Sequence, residues 1–251
     1  MILDEIILRT QKRVALLPAV FPENDTWSHT SLLDAILNRN CRNAVIAEIK
    51  CASPSRGIIR RNVDMTMMAY ALAGRGCVAF SVLTEPYYFG GSGRDIAKVK
   101  SAVSIPILRK DFIIDERQIA ESLALGADAV LLIAAVLKER LPVFVDLAQE
   151  YGLEPLVEVH TTREVETALS TNAELIGINN RDLSTFRIDR SITRILSDSI
   201  RSNGKTIVSE SGMLTADDIR EMKPYCDAFL IGSSIMSHER PEKKLEEFVC
   251  A

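Results

Sequence analysis

The chain is poor in the residues that build disulfide frameworks, metal centres and aromatic platforms. It has five cysteines, three histidines and a single tryptophan in 251 residues. The cysteines (Cys41, Cys51, Cys77, Cys226 and Cys250) are odd in number and scattered without metal-ligand spacing. They read as reduced thiols of a cytosolic protein. No cluster points to a metal, and no cofactor is called for. No apolar run reaches the ~20 residues that span a bilayer, and Met1-Ile2-Leu3-Asp4-Glu5 puts acid where a secretory leader is basic. An excess of positive charge is missing as well. Thirty Lys and Arg stand against 34 Asp and Glu, a net charge of −4, which argues against a nucleic-acid or anionic-membrane partner. The expectation is a soluble, cytoplasmic protein acting on a small molecule.

Apolar residues make up 47% of the chain, enough for a sizeable core. After residue 42, short β-branched runs alternate with amphipathic stretches. The strand candidates are Ala44–Lys50, Cys77–Leu83, Ile105–Lys110, Ala127–Ile133, Pro155–Val159, Leu175–Asn179, Thr206–Glu210 and Ala228–Gly232. Each strand and its return take about 26 residues, which suits one strand plus one helix. Asp115-Glu116-Arg117-Gln118 and Thr161-Thr162-Arg163-Glu164 resemble capping boxes, and Thr215-Ala216-Asp217-Asp218 is a weaker one. Gly74 or Gly76, Gly126 and Gly152 are placed to end helices. Alternating βα units predict a parallel sheet, and eight of them predict a closed (β/α)8 TIM barrel. An open doubly wound sheet is disfavoured, because no dinucleotide-type Gly-rich turn follows the first strand. Residues 1–42 fall outside the repeat. Apolar residues at helical spacing over Met1–Val20, a break at Phe21–Asp25 and a second short helix over Ser31–Asn40 read as a helical extension plugging one barrel end. The whole of 1–251 is then one barrel domain.

Charged residues close several of the apolar runs. Glu48 and Lys50 end the first and share a strand face. Lys110, Glu158 and Glu210 lie at or near the ends of the third, fifth and seventh. Charge inside a barrel is costly unless paired, so repetition at one end points to an assembled polar site, where barrel enzymes carry their chemistry. Structural salt bridges are the competing account, which contributions from several strands at one end disfavour. Ser211-Gly212 follows strand seven and Gly232-Ser233-Ser234 follows strand eight. Glycine lets backbone N–H groups approach an anion, and barrels often bind phosphate at these two loops. A valine at position 232 is expected to fill that cradle and spare the barrel. The basic segment Cys51–Arg61 reads as a flap over an anionic ligand or as a solvated connector. His160 reads as a strand-end cap, His29 and His238 as surface residues, and Trp27 and Tyr87-Tyr88 as packing.

In order along the chain, Glu48-Ile49-Lys50, Ser53-Pro54-Ser55-Arg56-Gly57, Lys110-Asp111-Phe112, Glu158, Gly177-Ile178-Asn179-Asn180-Arg181-Asp182-Leu183 and Glu210-Ser211-Gly212 closely resemble the indole-3-glycerol-phosphate synthase family. The resemblance runs from the N-terminal helix to Met236. It implies a (β/α)8 barrel with an extra N-terminal helical segment. The implied activity is a carboxy-lyase step of tryptophan biosynthesis, from 1-(2-carboxyphenylamino)-1-deoxyribulose 5-phosphate to indole-3-glycerol phosphate, carbon dioxide and water.

The resemblance also implies roles. Lys110 is the acid that protonates the ketone oxygen during ring closure, with a pKa lowered by a second cation, Lys50. Lys50 steers the substrate's anionic groups, and Glu158 is the base that restores aromaticity. Glu48 and Asn179 position Lys50 and the substrate, and Ser211 and Glu210 complete the polar ring. Arg181 and Ser53 contact carboxylate or phosphate, and Gly212, Gly232 and Ser233 cradle the phosphate. Pro54, Phe89 and Phe112 wall in the aromatic ring, and Leu230 is a further substrate contact. Cys51 departs from the basic or small residue the family often has there. The alternatives are phosphoribosylanthranilate isomerase, which needs a cysteine base where strand one here ends in Glu48-Ile49-Lys50, and a ligand-binding barrel without catalysis. The expected assembly is a monomer or weak homo-oligomer.

Overall fold

Eight apolar runs become eight parallel strands that hydrogen-bond in sequence order and close on themselves. They are β1 (Ala44–Ile49), β2 (Ala79–Leu83), β3 (Ile107–Lys110), β4 (Ala129–Ile133), β5 (Glu154–Val159), β6 (Leu175–Asn179), β7 (Thr206–Glu210) and β8 (Ala228–Ile231). Ile46 of β1 pairs with Leu230 of β8 on one side and Ala79 of β2 on the other, which seals the ring. The protein, analysed as a computed structural model, is described over residues 2–21, 27–38, 42–182 and 185–251. The (β/α)8 TIM barrel expected from the repeat is therefore what forms. Leu183, Cys41, Met1, Arg39-Asn40 and the expected break after Phe21 lie outside the described residues.

Side-chain alternation sorts each strand into two cores. Ile46, Leu108, Leu131, Leu156 and Val208 point into the barrel, where branched side chains fill the lumen. Val45, Phe80, Val130, Val157, Ile176 and Ile207 point outward and are buried under the helices. Three strands begin later than their apolar runs, because residues such as Cys77-Val78 and Ile105-Pro106 lead in from the bottom loops. Pro106 has no N–H to give to a ladder, although its carbonyl accepts from Phe80 N.

The helix starts follow their cap chemistry. Thr161 accepts from Glu164 N ahead of the helix Thr162–Leu169. Thr215 and Asp218 form a complete reciprocal capping box ahead of the helix Ala216–Met222, so the motif judged weaker is the full one. Ahead of the helix Arg117–Leu125, Asp115 accepts from Arg117 N and Gln118 Oε1 accepts from Asp115 N. Gly126, Gly152 and Gly76 adopt positive φ after their helices, whereas Gly74 stays right-handed.

The N-terminal extension does not act as one plug. Its first helix, α1 (Ile2–Val14), lies over the top of the barrel, where Arg13 binds Asp111 just past β3 (2.7 Å) and the carbonyl of Thr84 just past β2. Its second helix, α2 (Leu32–Leu37), closes the bottom. Ser31 Oγ donates to one oxygen of Glu154 at the start of β5, and Leu32 N and Leu33 N donate to the other. Amphipathic spacing showed that α1 buries a face, but not which end of the barrel it covers. Among the described residues, no helix is long and apolar enough to cross a membrane.

Candidate active site

The C-terminal ends of the strands open into one cavity beneath α1. At its centre Lys110 Nζ lies 2.9 Å from Glu158 Oε2 and 2.5 Å from Glu210 Oε2. Lys110 ends β3, Glu158 sits on β5 and Glu210 ends β7, so alternate strands deliver three charges to one point. Lys50 pairs instead with Glu48, Nζ to Oε1 at 2.5 Å. The expectation that a neighbouring cation lowers the Lys110 pKa is therefore overturned. Burial pulls that pKa down, but the carboxylates of Glu158, Glu210 and Glu48 outweigh burial, and the net shift is upward.

Two carboxylates share that one ammonium, and their shifts diverge. Burial raises both, yet Lys110 and hydrogen bonds from Asn179 and Glu210 hold Glu158 below its ordinary value. For Glu210, burial and repulsion from Glu158 and Glu48 exceed the pull of Lys110, and its pKa rises to about 8. Glu158 is the ionised member, and Glu210 carries a proton near neutrality. Glu210 Oε1 is buried without a partner, an acceptor or donor held ready for a ligand. Glycine makes room for it, because a Cβ on Gly177 would collide with that oxygen.

The turns after β7 and β8 meet, as Ser234 Oγ donates to the carbonyl of Met213 at 2.8 Å. Ser211 and Gly212 both have positive φ (66° and 94°), and for serine that conformation is strained. Gly232 corrects an expectation. Its position is buried, and a Cβ there would collide with the side chain of Glu48. A valine would thus disturb the Glu48–Lys50 pair before it blocked any anion, and sparing of the barrel does not follow. The Cys51–Arg61 segment is less free than a flap. Ala52–Ser53 pairs with Gly57–Ile58 in a small antiparallel hairpin, and Arg60 is tied to the carbonyls of Met236 and His238. Its tip, from Ser55 to Ile58, and Arg61 at its end are exposed.

Every residue given a catalytic or substrate-binding role from the sequence lines this one cavity, including Pro54, Leu230 and Ser233. Ser53 Oγ is buried there without a partner. Asn179 Oδ1 accepts from Arg181 N. Arg181 reaches Ser55 Oγ and the Phe186 carbonyl, with no ion pair among the described residues. Phe89 and Phe112 stand 6.2 Å apart, tilted by 41°. His160 is more than a cap. Its Nδ1 donates to the Asn179 carbonyl at 2.6 Å and so joins the ends of β5 and β6.

Sequence reasoning missed two groups. Ile2, Leu3 and Ile6 of α1, with Leu131 and Ile133 of β4, form an apolar wall; strand parity could have found the β4 pair. Glu85 places Phe89 by accepting from the backbone N–H of Tyr87, Tyr88 and Phe89, a turn role with no periodic signal. Among the described residues no group of three or more His, Cys, Asp or Glu is gathered to hold a metal.

Fold and site define a (β/α)8 barrel with a charged mouth and paired Gly-Ser turns on its last two strands. The backbone is similar to that of KGPDC from Streptococcus mutans, at TM-score 0.63 and 12% identity over 82% of this chain and 95% of that one, a likeness of fold alone. Residues 3–248 match the family model for indole-3-glycerol phosphate synthase. Curated relatives of that name include one from Caldanaerobacter subterraneus, 42% identical over 99% of this chain and 98% of its own length. Another, from Methanocaldococcus jannaschii, is 46% identical over 84% of this chain and 79% of its own. The chain belongs to the indole-3-glycerol phosphate synthase family.

Proposed function

We propose that this chain is the decarboxylating lyase of tryptophan biosynthesis that makes indole-3-glycerol phosphate from 1-(2-carboxyphenylamino)-1-deoxyribulose 5-phosphate, working as one barrel domain. The observation that carries this reading is Lys110, held between Glu158 and Glu210 in the cavity the family motifs line. In ring closure, the aromatic carbon bearing the carboxylate attacks the ketone carbon. Negative charge grows on the ketone oxygen, and Lys110 supplies a proton to it. An upward-shifted pKa does not prevent this, because a developing alkoxide is a stronger base than an amine, and the acid is charged at every working pH. Carbon dioxide then leaves the attacked ring position and restores the benzene. The former ketone oxygen departs as water, aided by Lys50, and Glu158, ionised at rest, takes the proton whose loss completes the pyrrole.

Phe89, Phe112 and Pro54 with the α1 wall suit the aryl ring. Arg181 and Ser53 suit the carboxylate, while Ser211-Gly212 and Gly232-Ser233 suit the phosphate. We read the protein as cytoplasmic, without a nucleic-acid partner, and as a monomer or weak homo-oligomer. The test offers the purified protein the carboxyphenylamino-deoxyribulose phosphate and follows indole fluorescence, with inorganic phosphate as a competitive inhibitor. A folded protein that leaves that substrate untouched would overturn the proposal.

A further inference from the structure

We propose that Asn180, which does not line the cavity, is the positioning residue that sets the Ser211-Gly212 turn for its anion, and so governs substrate affinity rather than the chemical step. The proposal rests on the reading of that turn as the phosphate site. Asn180 is fully buried at the end of β6, and every hydrogen-bonding group it has is used. Its Nδ2 donates to Ser211 O and to Ser209 Oγ, both at 3.1 Å. Its Oδ1 accepts from Thr193 N (3.2 Å) and Thr193 Oγ1 (2.8 Å). Thr193 N can only donate, so the orientation of the amide is fixed by its surroundings. The backbone is held too: Asn180 N donates to Glu210 O, and Asp189 N donates to Asn180 O.

The consequence lies at Ser211. Two successive residues with positive φ, one of them serine, persist only where the surroundings over-determine them. The Ser211 carbonyl is turned inward onto Asn180 Nδ2, leaving the turn's other face to the cavity that Ser211 and Gly212 line. Glu210, by contrast, is held through the backbone N–H of Asn180, which any side-chain substitution except proline preserves. The side chain therefore bears on the turn and the main chain on Glu210. Affinity and chemistry separate at this one residue.

The experiment compares Asn180→Asp, Thr193→Val and the parent enzyme. Asn180→Asp keeps size and an oxygen facing Thr193, but puts an acceptor against the Ser211 carbonyl. It is expected to raise KM and the inhibition constant of inorganic phosphate by about tenfold or more, since a lost buried hydrogen bond is of that order, with kcat nearly unchanged. Thr193→Val leaves both Nδ2 bonds in place and is expected to lower Tm without moving phosphate inhibition. If Asn180→Asp lowers kcat and leaves phosphate inhibition alone, or if both variants shift affinity in proportion to lost Tm, the proposal is overturned. If phosphate does not compete with substrate in the parent enzyme, the phosphate reading itself fails, which is a distinct outcome.

Discussion

Lys100, buried, and Lys110, half-buried, both meet carboxylates, at opposite ends of one barrel. Lys100, on the helix Gly93–Ala102, meets both oxygens of Asp128 at 2.7 Å below β4, and Asp128 also accepts from Ile107 N and Thr30 N. One ammonium faces one carboxylate, backbone N–H groups fill its spare acceptor positions, and His29 Nδ1 stands 3.7 Å from it. Lys110 faces two carboxylates, one of which keeps an oxygen without a partner. Balance at the bottom is the pattern of a pair kept for structure. Imbalance at the top leaves a proton and an orphan acceptor available to a substrate.

The largest expected effects come from removing each lysine in turn. Lys110→Ala should cost about 10²–10⁴-fold in turnover, the usual contribution of a general acid. Its fold should survive, because Glu210 already favours its proton and the remaining charge borders an open cavity. Lys100→Ala should do the reverse. Stranding Asp128 should cost about 3–5 kcal/mol of stability, the range for a broken buried pair, while the folded fraction keeps its kcat. Thermal melts and initial rates on both variants test the contrast, and matched effects in the two would end it.

Within the upper cluster, Glu158→Gln should lower kcat by about 10²-fold and change KM far less. The amide keeps shape and hydrogen bonding but cannot take a proton. A change in KM alone would make Glu158 a binding residue.

These contrasts were only partly legible in the sequence. Charges closing apolar runs gave away the site, since strand alternation turns position into direction. The partners of those charges were not given away. Nothing in the order Glu48, Lys50, Lys110 says that the first two pair together and leave the third to Glu158 and Glu210. The same gap hid Gly232, whose neighbour is the side chain of Glu48, most of the chain away in sequence. Asn179 and Asn180 read as a doublet, yet the last residue of β6 and the one just past it face opposite ways, one into the cavity and one into the network with the helix Ser191–Ser202.

Glu210→Gln should act through pH. A carboxyl whose folded pKa lies above its unfolded value holds its proton more tightly when folded. The stability it lends is complete below its ordinary pKa of 4.5 and is lost as pH climbs to about 8. The parent should therefore lose stability relative to Glu210→Gln across that window, as denaturant midpoints measured from pH 4.5 to 8 would reveal. Parallel curves would mean that folding leaves the titration of Glu210 unchanged.

The smallest effect is expected at Ser31, below the barrel. Its Oγ accepts from Asp34 N to cap α2 and donates to Glu154 Oε1 at 2.6 Å. Ser31→Ala removes both bonds, but Glu154 keeps the N–H groups of Leu32 and Leu33 on its other oxygen, so no charge is stranded. An N-cap lost in this way costs about 1 kcal/mol, or roughly 2–4 °C in Tm for a chain of this size. Neither KM nor kcat should move, because α2 packs at the end opposite the cavity and none of its residues lines it. A change in KM from this position would show that the bottom plug reaches the site through the apolar lumen, and the separation drawn between Lys100 and Lys110 would then be too sharp.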